Sequence, residues 1–121
     1  LALYYAVSGM GAVLHTVNPR LFADQVAFIL EDAQDTHLFV DPSVLPAVMA
    51  VADRLPKSLR CVVLMRDAPL PALPCEVTTL DALIGAEDGD MAWPVLDERA
   101  ASSLCYTSGT TGMPKGVLYS H

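Results

Sequence analysis

A run of small polar residues lies near the end of the chain, at residues 106–116, with the sequence YTSGTTGMPKG. It holds three glycines, three threonines, one serine, one proline and one of the chain's two lysines. Glycines let backbone N–H groups converge because no Cβ stands in the way, and converging N–H dipoles attract anions. The hydroxyl groups add hydrogen-bond donors, and Lys115 adds a positive charge. These residue types together predict a loop that binds a polyphosphate.

The order of residues differs from that of the common nucleoside-triphosphate loop. That loop has a glycine directly before its lysine and a serine or threonine directly after it. Here Pro114 precedes Lys115 and Gly116 follows it. An ordinary nucleoside triphosphatase is therefore disfavoured, and a glycine-rich turn without a ligand is the simplest alternative.

The segments that must position this loop follow the rhythm of a layered α/β fold. Apolar runs without alternation suit strands covered on both faces, and they alternate here with segments of helical periodicity. Strands are predicted at residues 12–17, 38–40, 60–65, 76–80 and 101–107, and helices at residues 1–7, 23–34 and 44–55, the first of them buried. The prediction is one mainly parallel sheet layered with helices, whose last strand runs into the glycine-rich stretch.

The composition and charge indicate a folded domain and disfavour nucleic-acid binding. The chain has 121 residues, 53% of them hydrophobic, which predicts one domain with a packed core and no internal boundary. Its formal net charge of −7 disfavours a general role in nucleic-acid binding. Six of the 14 acidic residues lie between Asp81 and Glu98, which predicts a solvated loop face.

The cysteines and the uncharged N-terminal segment indicate the cellular compartment, and the chain ends indicate a larger parent protein. Cys61, Cys75 and Cys105 form no CxxC pair, which disfavours a disulfide framework or a zinc site and favours buried thiols in a cytoplasmic protein. Residues 1–19 carry no charge, but polar residues and glycines interrupt them too often for a transmembrane segment. Because the chain begins inside an apolar run and stops shortly after the glycine-rich stretch, we expect a piece of a larger protein.

The stretch from Tyr106 to Val117 resembles the signature of the adenylate-forming, or AMP-binding, enzymes, which reads Tyr/Phe-Thr-Ser-Gly-Ser/Thr-Thr-Gly-x-Pro-Lys-Gly-Val. This superfamily includes acyl-CoA synthetases, luciferases and the adenylation domains of peptide synthetases. GAVLHTVNPRL at residues 11–21 and KGVLYSH at residues 115–121 are similar to segments of medium- and long-chain fatty acyl-CoA synthetases. The resemblance covers nearly the whole chain except residues 67–99, and it implies part of the large N-terminal domain of such an enzyme.

The resemblance implies an activity and a set of binding residues. These enzymes use ATP to convert a carboxylate, here a fatty acid, into an acyl-adenylate, and then transfer the acyl group to coenzyme A. The glycine-rich loop is similar in role to a clamp on the β- and γ-phosphates. The implied binding residues are Thr107, Ser108, Gly109, Thr110, Thr111, Gly112, Lys115 and Gly116, with Thr107 also a contact for Mg²⁺. No catalytic residue is implied within the 121 residues, because the relatives' later motifs cannot be placed on them.

Two other functions remain open from the sequence. The parent could be a different adenylate-forming enzyme that acts on aryl or amino acids, or the chain could be a phosphate-binding module without ligase activity. The histidines are assigned no catalysis: His15 is expected to be buried beside the first strand, and His37 to lie at the surface.

Overall fold

The structure is a computed structural model, and it describes residues 1–107 and 112–121. The elements within these ranges are α1 (Ala2–Gly9), β1 (Leu14–Thr16), α2 (Ala23–Asp32), β2 (His37–Val40), a 3₁₀ turn (Pro42–Val44), α3 (Leu45–Met49), a second 3₁₀ turn (Ala52–Arg54), β3 (Cys61–Leu64), β4 (Glu76–Thr79), α4 (Leu80–Gly85), β5 (Ala101–Thr107) and β6 (Lys115–Ser120). The mixed α/β class and the predominance of parallel strand pairs are confirmed.

The strands lie in two three-stranded sheets rather than in the single sheet predicted. The chain divides into two compact units, one formed by Leu1–Asn18 with Met91–His121 and the other by Pro19–Asp90. Each unit contains one of the sheets. Apolar runs predict that a segment is a strand, but they do not say which distant strand it pairs with. The prediction of one domain over residues 1–121 is not tested by this division and stays a prediction.

The first unit contains the sheet that carries the glycine-rich stretch. Its strand order is β1-β5-β6. Strand β1 runs parallel to β5, with Leu14 opposite Ser103, whereas β6 runs antiparallel to β5, with Lys115 opposite Thr107. The sequence analysis did not predict β6. Every residue of β6 is exposed, so it lacks the buried apolar run by which the other strands were recognised.

Helix α1 is confirmed, but the prediction that it is buried is wrong, since none of its residues is buried. Within its own unit the helix approaches β1 and β5, while Ala2, Tyr4, Tyr5 and Ala6 are exposed. A hydrogen bond from Ser8 Oγ to the Ser102 carbonyl, at 3.3 Å, ties the helix to β5.

The second unit is built on the parallel sheet β2-β3-β4. The central strand β3 is buried along its whole length. One face of the sheet packs in a core cluster formed by Val40, Val48, Leu59, Val62 and Leu64. The side chains of Cys61 and Val63 point to the opposite face, because successive strand residues alternate. Both are buried, and α2 adds four further buried residues.

Helix α2 ends two residues before the predicted position. The chain adopts a left-handed conformation at Gln34, with φ of 55°. The Asp35 N–H then bonds back to the Leu30 carbonyl at 3.2 Å, which satisfies a carbonyl that the helix leaves open. This ending needs no glycine, so no stop signal could be recognised in the sequence at this point.

The predicted helix at residues 44–55 is wrong as a continuous element. Asp41 caps a 3₁₀ turn through its side chain, α3 covers only Leu45–Met49, and a second turn follows. Leu55 is extended, with ψ of 141°, as expected for a residue before a proline. The helically spaced apolar residues of this segment form a stripe that nevertheless faces the core. Val48 and Val51 are buried, and Val44 and Leu55 are half-buried.

The acidic segment at residues 81–98 is exposed almost throughout, as predicted. It begins with the short helix α4, which was not predicted and which Thr79 caps by accepting a hydrogen bond from the Ala82 N–H at 3.2 Å. Within residues 1–107 and 112–121, no helix is long and apolar enough to span a membrane.

Candidate functional site

The structure describes four of the eight predicted binding residues. These are Thr107, Gly112, Lys115 and Gly116. The other four, Ser108, Gly109, Thr110 and Thr111, lie outside the described residues. The site is therefore defined by the two chain segments that lead into and out of the glycine-rich stretch.

Strands β5 and β6 bring the two ends of the stretch together. Thr107 is the last residue of β5 and lies directly opposite Lys115, the first residue of β6. The Thr107 hydroxyl donates to the Lys115 carbonyl oxygen at 3.5 Å. Both residues are exposed. The sheet thus places a hydroxyl and a lysine next to each other at the mouth of the loop, although eight positions separate them in sequence.

Shortly before β6, the backbone at Gly112 adopts a conformation that favours glycine. Its φ is +151°, a conformation that residues with a Cβ rarely adopt, and there is open space around the position where a Cβ would lie. The requirement is therefore conformational rather than steric. Pro114 is buried directly before β6, which anchors the chain just ahead of Lys115.

A close contact joins β5 and β6 at the residue pair next to Thr107 and Lys115. Gly116 lies opposite Tyr106, and a Cβ on Gly116 would meet Tyr106 Cζ and Leu104 Cδ1 at 3.2 Å each. On the other side, the ring of Tyr106 lies 5.2 Å from that of His15, centroid to centroid. The sequence analysis assigned Gly116 to phosphate binding and gave His15 only burial, so it missed this contact. The available signal was Gly116 itself, because a glycine inside a strand often marks the close approach of another group.

The base of the same strand pair is fixed by Ser102, the one buried polar residue among those described. Its hydroxyl lies 2.9 Å from the Ser120 carbonyl and 3.3 Å from the Tyr119 carbonyl. The strand register shifts between Ala101 and Ser103, and the hydroxyl contacts the backbone opposite this irregularity. The strands that carry the loop are therefore held at both ends.

Within the described ranges, no group of three or more His, Cys, Asp or Glu side chains could hold a metal. His37 is exposed and its Nδ1 lies 3.0 Å from the Thr36 hydroxyl, as expected for a surface residue. Burial raises the pKa of the Cys61 thiol, helped by the charge of Glu76, and burial also raises the pKa of Cys75. All three cysteines are free thiols, and Cys61 is buried as predicted, whereas Cys75 and Cys105 are half-buried.

The loop ends offer hydrogen-bond donors and one cation but no general acid or base. A hydroxyl, a lysine and a glycine-rich backbone can bind and neutralise an anion. Comparison with known proteins agrees with this chemistry. The sequence family described as AMP-binding enzyme matches residues 1–121. The chain belongs to the AMP-binding enzyme family.

Three relatives of this chain, each at least 46% identical to it, are CoA ligases. It is 50% identical to 3-methylmercaptopropionyl-CoA ligase of Ruegeria lacuscaerulensis, over 100% of the chain and 23% of that protein. It is 48% identical to a long-chain-fatty-acid–CoA ligase of Thermus thermophilus (100% of the chain, 21% of that protein). It is 46% identical to a medium-chain-fatty-acid–CoA ligase of Ectopseudomonas oleovorans (100% and 22%). The chain thus spans less than a quarter of the length of these relatives.

Solved structures confirm the fold of this AMP-binding chain. The crystal structure of the anthranilate CoA ligase AuaEII in complex with anthranoyl-AMP matches 98% of the chain and 22% of its own, with a TM-score of 0.86 and 24% identity. The N-terminal domain of FACL13 from Mycobacterium tuberculosis matches 98% of the chain and 27% of its own, with a TM-score of 0.62 and 28% identity. The fold is that of the N-terminal region of adenylate-forming enzymes.

Proposed function

We propose that this chain is the phosphate-binding part of an ATP-dependent fatty acid–CoA ligase. The observation that carries the proposal is the pairing of Thr107 with Lys115 at the mouth of the glycine-rich stretch, in a chain of the AMP-binding family. The named relatives with 46–50% identity are all CoA ligases, which favours a thioester as the final product.

The proposed reaction has two steps, and the loop acts in the first. A carboxylate oxygen attacks the α-phosphorus of ATP, the bond to the bridging oxygen breaks, and pyrophosphate leaves. Lys115, the loop hydroxyls and the loop N–H groups contact the β- and γ-phosphates, where negative charge develops as that bond breaks. Preorganised donors aimed at developing charge lower the barrier. In the second step the CoA thiolate attacks the acyl carbon and AMP leaves. Pyrophosphate has left in the first step and takes no part in the second.

The residues of the loop ends fit a minor role towards Mg²⁺. This ion takes oxygen ligands and is bound mostly by substrate phosphates, waters and one or two carboxylates. Thr107 offers an exposed hydroxyl oxygen beside the proposed phosphate position, while no cluster of acidic ligands accompanies it in the described ranges. Thr107 is therefore proposed as a single contact, with the remaining ligands supplied by ATP, water and other parts of the parent. When bound, the ion would neutralise phosphate charge.

The class of acid substrate is inferred from the substrates named for the relatives. The relatives named above act on 3-methylmercaptopropionate-type, medium-chain and long-chain acids, which are all aliphatic carboxylates. A relative with 37% identity is a 4-hydroxybenzoate/benzoate–CoA ligase, so aryl acids are an alternative substrate class. The higher identity of the aliphatic group favours a fatty acid.

The proposal is tested with the full-length parent and ATP–pyrophosphate exchange. The acids to compare are butyrate, octanoate, palmitate, benzoate and phenylalanine, each followed by a CoA thioester assay. We expect exchange with at least one aliphatic acid and formation of its CoA thioester. Exchange with benzoate or phenylalanine alone would replace the substrate class, and no exchange with any acid would reject a ligase of these classes.

A further inference from the structure

The ring of Tyr106 touches all three strands of its sheet. It belongs to β5, it lies 5.2 Å from the His15 ring on β1, and it covers Gly116 on β6. Its contact with Gly116 is close enough that an added Cβ would lie 3.2 Å from Cζ and 3.5 Å from Cε1. An aromatic ring laid over a cross-strand glycine is a known device for fixing strand register.

The Tyr106 ring acts on the register between β5 and β6, the two strands that carry the residues of the candidate site. Tyr106 and Gly116 form the pair directly below Thr107 and Lys115. Because a one-residue slip in a strand pair moves every side chain to the opposite face, the direction in which Lys115 projects depends on the Tyr106–Gly116 pair. Strand β6 has only one neighbouring strand among the described residues, so this contact is a major restraint on it.

His15 is the third member of this arrangement. It lies in β1 opposite Leu104 of β5, so its ring reaches Tyr106 two residues further along that strand. The two rings are tilted by 46°. We propose that His15 is a positioning residue for adenylation: its ring holds the Tyr106 ring over Gly116 and so holds Lys115 and Thr107 at the mouth of the loop. This inference rests on the proposed function of the loop.

The role assigned to His15 is geometric and involves no proton transfer. A flat ring of similar size should replace it, whereas a methyl group should not. In the full-length parent, His15→Ala should raise the KM for ATP about tenfold or more, since small displacements of binding groups cost up to about a hundredfold in rate. His15→Phe should return this KM to within about threefold of the wild type. Thioester formation from a supplied acyl-adenylate should stay unchanged in both variants.

His37→Ala is the matched control, because His37 is an exposed histidine in the other unit. It should leave both half-reactions unchanged. Equal losses in the two half-reactions of His15→Ala, or a fall in Tm with no change in the KM for ATP, would overturn the inference. Failure of Phe to restore the KM would overturn it as well.

The inference and the proposed function fail in different ways. If wild-type parent performs ATP–pyrophosphate exchange and Lys115→Ala impairs it while His15→Ala does not, only the positioning role is wrong. If wild-type parent performs no exchange with any acid, the proposed function itself is wrong.

Discussion

Thr107 and Lys115 face each other across β5 and β6, and the Thr107 hydroxyl donates to the Lys115 carbonyl at 3.5 Å. This bond uses the backbone of the lysine, so the ammonium group is not needed to close the strand pair. The side chain of Lys115 is exposed and can serve a ligand. The hydrogen bond that joins the strands and the proposed phosphate contact therefore use different parts of Lys115, so its side chain can be replaced without removing this bond.

Replacement of Gly116 by alanine should destabilise the protein. The new Cβ would lie 3.2 Å from Tyr106 Cζ and from Leu104 Cδ1, closer than ordinary van der Waals contact. If the Tyr106 ring and the Leu104 methyl group cannot shift by a few tenths of an ångström, overpacking of this kind costs about 1–3 kcal/mol. The measurement is the free energy of unfolding of the purified full-length variants. Gly85→Ala is the control, because no atom lies within 4 Å of its added Cβ and the site is helical; equal effects at both glycines would contradict the account.

The ion pair between Asp41 and Arg66 should give part of the stability a defined pH dependence. Arg66 Nη2 lies 2.7 Å from both Asp41 oxygens, and the Ser43 hydroxyl and N–H also donate to Asp41. The guanidinium, and then these Ser43 donors, hold the pKa of Asp41 well below its usual range. A folded-state pKa below the unfolded value stabilises the fold above the unfolded pKa of about 3.9, and that contribution is lost as pH falls towards the folded-state pKa.

Asp41→Asn tests this expectation by urea unfolding at a series of pH values. The variant should be less stable than wild type at pH 7, and the difference should shrink below about pH 4. Asp67→Asn is the control, since Asp67 is an exposed aspartate next to Arg66 in sequence, whereas Asp41 is half-buried. A stability difference for Asp41→Asn that is the same at every pH would show that Asp41 acts through packing or capping alone.

The 121-residue chain by itself should not catalyse ATP–pyrophosphate exchange with any fatty acid. It supplies the phosphate loop but spans only 21–23% of the length of its relatives, and no catalytic residue was assigned within it. The check is an exchange assay on the purified chain from a host whose own ligases have been removed. Exchange above background would mean that these residues contain more of the active site than the account allows.

The sequence predicted strands β3 and β5 because their signals are local. The buried run at residues 61–64 is a strand along its whole length, and the run at 101–107 is β5 with the bounds predicted. The end of α3 at Met49 was missed because the apolar stripe continues beyond it: Val48 in the helix and Val51 after it are both buried. A stripe records which side chains are buried, not whether one helix carries them.

The contacts that define the site could not be predicted in the same way. His15 and Tyr106 are 91 positions apart, and their contact depends on the pairing of β1 with β5. No local pattern specifies that pairing. The phosphate-binding role of the loop residues, the Mg²⁺ contact at Thr107 and the cytoplasmic location stay predictions, because no bound ligand or comparison tests them.

Thr111→Ala should weaken adenylation less than loss of the lysine does. Thr111 lies outside the described residues, so this prediction comes from the loop sequence alone. The substitution removes a neutral donor, and neutral hydrogen bonds contribute about 0.5–1.5 kcal/mol against about 1.5–3 kcal/mol for charged ones. Side-by-side KM values for ATP in the exchange assay check the order. A larger effect for Thr111→Ala would move the main phosphate contact from the lysine to the hydroxyls.

Lys115→Ala in the full-length parent tests the central claim most directly, with Lys57→Ala, the chain's other lysine and also exposed, as the control. Both half-reactions are measured separately on each variant, together with the free energy of unfolding. Lys115→Ala should leave stability within about 0.5 kcal/mol of wild type and lower adenylation about tenfold to a hundredfold, the effect of one charge-assisted contact. Thioester formation from a supplied acyl-adenylate should be unchanged, because pyrophosphate takes no part in it. Equal losses in both half-reactions, or a large loss of stability without a specific kinetic defect, would contradict the account and assign the glycine-rich stretch a structural role.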